Sequence, residues 1–162
     1  MTVAEVRALR EAGRHAEHGT AAQVLVVAHP DDAEAQLEAA FAHDRAGREQ
    51  EAIRHYEQAS LLGVPAALMR AFAVGYGSTL RNVGRADDAV GVLGQAIAGD
   101  PAYAPYAAFL GLALLDAGHP RLAVATLLGC ALEVARPDGP DRLADYARAL
   151  GAYQRELLEL PP

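Results

Sequence analysis

Six histidines, one cysteine and a scatter of carboxylates are the side chains of this 162-residue chain that could do chemistry. His15 and His18 are three residues apart, a spacing that puts two imidazoles on one helix face as metal ligands require. No cysteine or third histidine stands near them. His43, Asp44 and His55 are residue types suited to general acid–base work, but they fall in helical stretches whose polar residues are expected to face solvent. Gly75 and Gly77 in "GYGST" lie inside a helical pattern and lack the lysine that a phosphate loop needs. Cys130 takes a small-residue core position and is expected to be a buried, inert thiol. No nucleophile, base and orienting group assemble into one set. The sequence therefore predicts no catalytic residue, no metal ion and no cofactor, and leaves a hydrolase or metal-binding protein as the remotest reading.

The elements that must carry these residues are helical. Apolar residues make up 52% and charged residues 22%, values that belong to a folded chain rather than a disordered one. Alanine and leucine dominate, which favours helix, and the length fits one domain able to bury a continuous core. With a formal net charge of −7 the chain lacks the basic stripe of a nucleic-acid groove. Arg7, Arg10 and Arg14 cluster, but Glu5, Glu11 and Glu17 are interleaved with them, which predicts a solvated, salt-bridged helix face. The run Val24 to Ala28 is too short to span a bilayer, and the first twenty residues lack the apolar stretch of a signal peptide. A single cysteine cannot form an internal disulfide. Cytoplasm is the expected compartment.

A repeat organises the chain. Gly47 leads five positions on to Ala52, Gly84 to Ala89, and Gly118 to Ala123. Gly84 to Gly118 is 34 residues, as is Gly13 to Gly47, whereas Gly47 to Gly84 is 37. Twelve residues before each alanine sits a small residue, Ala40, Gly77 or Gly111; four after it sits a large one, Tyr56, Leu93 or Leu127. Three further on comes Ala59, Ala96 or Cys130. Pro30 and Pro101 each lie 17 residues beyond a glycine. Such a unit reads as two antiparallel helices joined at a glycine that takes a left-handed conformation. The small residues let the helix axes approach, and the large ones fill the gap to the next unit.

The stretches "AFAHDRAGREQEAIRHYEQA" and "YGSTLRNVGRADDAVGVL" resemble the short bacterial proteins of the fifth tetratricopeptide-repeat (TPR) family, from about Asp31 to Leu157. The resemblance implies an all-α TPR-type solenoid of antiparallel helix pairs and a tendency to dimerise. The expected division is a degenerate first repeat at 1–30, repeats at 31–65, 66–102 and 103–137, and a C-terminal amphipathic capping helix within 138–162.

Two departures stand out. In the first unit His18 takes the alanine position and Gly19 follows it, which reads as an atypical terminal cap. Three extra residues fall around "SLLGVPAALMRAF", where Pro65 suits a first helical turn, so a longer following helix is expected. After Pro137, Leu143, Tyr146, Leu150, Tyr153 and Leu157 recur at helical steps. They predict a last helix, Asp141 to Leu160, acting as an intramolecular lid, a dimer face, or both.

In the TPR arrangement the first helix of each pair lines the concave surface. The resemblance thus points to Leu37, Phe41, Asp44 and Arg45, then Val74, Ser78, Arg81 and Asn82, then Ala108, Phe109, Leu112 and Asp116, as a groove for a peptide or protein segment. Arginine there could hold a carboxylate or backbone oxygen. Asn82 and Arg81 have a structural reading too, as a helix cap and an ion-pair partner. With Leu37 and Phe41 at the places of the lysine and asparagine that clamp a terminal carboxylate in some TPR domains, that clamp is not reproduced. The leading reading is a non-catalytic interaction module; the alternative is a homodimeric scaffold using the last helix.

Overall fold

The computed structural model describes residues 1–134 and 147–159, and every described element is helical. The chain divides into two compact units, Met1–Val83 and Gly84–Pro162.

The first unit holds α1 (Val3–Glu11), α2 (His15–Ala28), α3 (Ala33–Arg45), α4 (Glu49–Leu62), a 3-10 turn (Ala66–Leu68) and α5 (Met69–Asn82). Thr2 and Glu5 start α1 with a reciprocal capping box: the Glu5 amide donates to the Thr2 hydroxyl at 3.3 Å, and the Thr2 amide to the Glu5 carboxylate at 2.7 Å. Asp32 caps α3 by accepting from the Glu34 amide at 2.8 Å. The hairpins turn where the repeat requires. Gly13, Gly47, Gly84 and Gly118 have φ of 70°, 68°, 81° and 83°, a region where a Cβ would be strained. Ala40, Ala52 and Ala59 are fully buried, so α3 and α4 meet across small side chains, and the ring of Tyr56 fills the space beyond them. Val6, Ala21, Ala22, Leu25 and Ala35 form a further apolar cluster joining α1, α2 and α3.

The three-residue insertion does not simply lengthen the next helix. Six residues connect α4 to α5, against four between α2 and α3, and α5 has fourteen residues against thirteen in α3. Two of the extra residues thus go into the connector, where Pro65 begins the 3-10 turn instead of the α-helix.

The second unit holds α6 (Ala86–Gly99), α7 (Ala104–Asp116), α8 (Pro120–Val134) and α9 (Ala147–Glu159), with α7 packed on α6, α8 on α7 and α9 on α8. Gly111 on α7 admits the side chain of Leu127 so closely that an added Cβ would lie 2.5 Å from its Cγ. Leu127 nevertheless stays 37% exposed, unlike the buried Leu93. Gln154 on α9 reaches α8, its side-chain amide donating to the Ala125 carbonyl oxygen at 3.0 Å. The expected segment of the last helix before Ala147, with Leu143 and Tyr146, lies outside the described residues. Cys130 is half-buried rather than buried, its thiol 3.6 Å from the Ala104 carbonyl oxygen.

Candidate functional site: an arginine-over-aromatic pocket in the first unit

Phe41 is the centre of the site. Its edge meets Tyr56 at 5.9 Å between ring centroids. Tyr56 in turn packs on Phe72 at 6.1 Å and stacks with Tyr76 at 5.6 Å. Gly75 makes this possible, since a Cβ there would stand 2.4 Å from the Tyr56 hydroxyl. The outer face of Phe41 carries the guanidinium of Arg10, 4.8 Å from the ring centroid. Arg10, Phe41, Asp44 and Arg45 together wall a pocket of about 470 Å³ between α1 and α3.

A buried carboxylate fixes Arg10. Glu38 is 1% exposed, and its Oε2 accepts from Arg10 Nε at 2.9 Å while Oε1 accepts from Arg10 Nη2 at 3.2 Å. Arg7 Nε adds a contact to Glu38 Oε1 at 3.5 Å, and Arg7 Nη2 pairs with Glu34. His18, 1% exposed, completes the set with Nε2 at 3.0 Å from Glu38 Oε2. A carboxylate only accepts, so the His18 proton sits on Nε2. A lone charge could not be buried so deeply; two guanidiniums and an imidazole offset its desolvation.

This overturns two sequence expectations. Arg7 and Arg10 do not form a solvated face paired along their own helix: both are about three-quarters buried and reach across to α3. Only Arg14 keeps the expected local partner, Glu17, with its Nε 2.7 Å away. His18 is part of the core and not one of two imidazoles on a free face. Among the described residues no group of three or more His, Cys, Asp or Glu is placed to hold a metal ion.

His43 and His55 were also expected to face solvent, but His43 is buried and His55 half-buried. His43 is 9% exposed and stacks on His55 at 5.1 Å. The Gln36 amide donates to the Pro30 carbonyl oxygen at 2.6 Å, which turns its own oxygen toward His55 Nδ1 at 2.7 Å and makes His55 the donor there. Burial pulls both imidazoles below their usual pKa, with Arg48 adding to the effect on His43, and His43 and Arg54 adding to that on His55. Asp44 is not part of this pair. It lies beside Tyr56, whose hydroxyl is 3.5 Å from Oδ2, and burial raises its carboxyl pKa against the pull of the Thr79 and Tyr56 hydroxyls. Burial likewise drives the Tyr56 phenol far upward.

The other expected groove positions distribute unevenly. Leu37 is fully buried, so it supports the packing and presents no surface. Val74 and Ser78 on α5 are half-buried, with the Ser78 hydroxyl donating to the Gly75 carbonyl oxygen at 3.0 Å. Arg81 is half-buried and Asn82 exposed. In the second unit Phe109 and Ala108 are half-buried, while Leu112 and Asp116 are exposed on α7. Arg10 was absent from the expected set. One repeat of 34 residues carries Arg7 onto Phe41 and Arg10 onto Asp44, and that register was the signal that could have found it.

The family model described as tetratrico peptide repeat matches residues 33–157. The chain belongs to this TPR family. No curated protein matches it. Among solved structures, the crystal structure of MamA superposes with a TM-score of 0.66 at 19% identity, covering 95% of this chain and 94% of that one. A Podosopora anserina protein of nearly identical TPR-like repeats gives 0.68 at 18% identity, covering 96% and 92%. At such identities the likeness establishes the TPR fold alone; an interaction module in the general sense comes with membership of the family. Among the described residues, no helix is long and apolar enough to cross a membrane.

Proposed function

We propose that this TPR protein is a non-catalytic binding module that takes a polypeptide segment of a partner in the groove centred on Phe41. The observation that carries the reading is the pocket itself: an aromatic ring, half-buried and backed by Tyr56, presented beneath a guanidinium that a buried carboxylate holds in place. Such a surface offers an apolar seat and hydrogen-bond donors at fixed positions, and little side-chain entropy remains to be lost on binding. Asp44 and Arg45 continue it on α3, and Val74, Ser78, Arg81 and Asn82 on α5. Phe109, Leu112 and Asp116 offer α7 positions of the same register. Phe41→Ala and Arg10→Ala are expected to abolish capture of a partner from the native host at unchanged helix content by circular dichroism. Capture at wild-type level by both variants would refute the groove.

A second reading, homodimeric assembly, rests on α9. Tyr153 is 59% exposed there, beside an exposed Leu158, while Leu150 and Leu157 are half-buried. Exposed tyrosine with apolar neighbours is characteristic of interface cores. Light scattering on a sizing column tests it: a dimer that Tyr153→Ser converts to monomer supports assembly, and a wild-type monomer rejects it.

A further inference from the structure

The first unit holds a second concavity that the peptide groove does not use. It is a cleft of about 520 Å³ where the first turn of α2 faces the end of α3 and the turn into α4. His15, His18 and Gly19 wall it on one side, His43, Arg45 and Arg48 on the other.

The cleft exists because the first repeat departs from the others at two adjacent positions. One period on from Gly19 stands Ile53, and the later units carry Val90 and Val124 there. Glycine removes that branched wall, and a Cβ at Gly19 would meet nothing within 4 Å. His18 stands where Ala52, Ala89 and Ala123 stand in the other units, and puts an imidazole into the wall. What reads in sequence as degeneracy opens a pocket in space.

Its chemistry is one-sided. In a chain of net charge −7, no aspartate or glutamate lines this cleft. Arg45 and Arg48 are exposed, and neither forms an ion pair among the described residues. The nearest buried acid, Glu38, is sealed behind His18. Two helix N-termini border the space: His15 and Ala16 begin α2, and Arg48 is the N-cap of α4. Neither helix has a side-chain cap hydrogen bond, so their first amides donate to no side-chain cap that an anion would have to displace, although Glu17 stands in the first turn of α2 and Glu49 and Glu51 in that of α4. The opposing end of α3 is already quenched, since the Gly47 and Arg48 amides donate to the Asp44 and His43 carbonyl oxygens at 2.9 and 3.0 Å. His43, nine-tenths buried in the wall, has a ring Nδ1 with no hydrogen-bond partner among the described residues. A metal ion is not the occupant these groups suit, because the histidines do not converge on one point with a further ligand.

We propose that this cleft binds a phosphate group, free or carried on a small molecule. Two guanidiniums match the charge and the multiple acceptor directions of a phosphate. Burial and Arg48, against the pull of Glu51, hold the His43 pKa below its usual value, so its ring in the wall adds no third full charge to those of Arg45 and Arg48. The volume exceeds that of the bare ion and leaves room for the group that carries it.

The test is isothermal titration of the full chain with inorganic phosphate and with glycerol phosphate, against chloride at matched ionic strength. Binding in the micromolar to low-millimolar range is expected, and Arg48→Gln should weaken it at least tenfold. Gly19→Val restores the residue type of the other repeats in open space, so it should fold, and it should weaken binding at least tenfold by narrowing the cleft at its histidine wall. Tighter binding of glycerol phosphate than of phosphate identifies a carried group; equal binding identifies the free ion. Heats no different from chloride overturn the proposal, as does undiminished binding to folded Gly19→Val.

Discussion

The pair α1–α2 with its neighbour α3, and the pair α7–α8, solve one geometric problem in opposite ways. Both must let helices approach at a position the repeat reserves for small residues. In α7–α8 the solution is steric: Gly111 and Ala123 leave room, and Leu127 leans into it. In the first unit the same register position holds His18, and the approach is secured by a charged network on Glu38. The steric solution needs only volume and tolerates change. The polar one needs particular partners at particular distances, because each member left alone would be a buried unpaired group.

That contrast can be broken experimentally, and the largest effect should come from its centre. Glu38→Ala strips the acceptor from Arg7, Arg10 and His18 together, and a loss of about 3–5 kcal/mol is expected in urea unfolding. A loss under about 1 kcal/mol would mean the network is incidental. His18→Ala installs the residue of the other units and removes one charged hydrogen bond, so it should cost about 1.5–3 kcal/mol despite conforming to the repeat. Were it neutral, the first unit would be no more specific than the last. Gly111→Ala should cost about 1–2 kcal/mol, because the added Cβ would lie 2.5 Å from Leu127 Cγ and the part-exposed leucine must change rotamer to clear it.

The smallest effect concerns pH. His43 and His55 titrate in the fold below their usual value near 6.5, so just under that value the unfolded chain binds more protons than the folded one. Their contribution is therefore full above about pH 6.5 and is lost as pH falls through the lowered values. Asp44, raised in the fold, acts with the opposite sign at more acidic pH. The thermal midpoint should drop between pH 7 and 5.5, and His55→Gln should make that drop shallower. An identical drop in the variant would place the acid sensitivity elsewhere.

Much of the fold was legible because its determinants are periodic. The 34-residue recurrence of Gly13, Gly47, Gly84 and Gly118 marks a backbone conformation, and all four adopt it. Phe41, Asp44 and Arg45 follow from the same counting, and all three line one pocket with Arg10. Leu37 was placed on the open surface by that counting, but it turns into the packing and is buried. The network on Glu38 escaped notice since local charge patterning compares residues three or four apart. Arg10 and Glu38 are 28 apart and meet only through the packing of α1 on α3. Interleaved arginine and glutamate on α1 resembled self-pairing, and nothing along that helix distinguishes a guanidinium turned to solvent from one turned inward.

Arg45 lines both the Phe41 pocket and the histidine-lined cleft. One guanidinium cannot give its full set of donors to two occupants on different sides of a helix. If the proposed peptide and phosphate both draw on Arg45, a ligand that recruits it into one space withdraws it from the other, and the two occupancies would be antagonistic. Linkage requires that antagonism to be mutual and equal in free energy. The exchange needs no rearrangement of the backbone, only the swing of one long side chain between two seats.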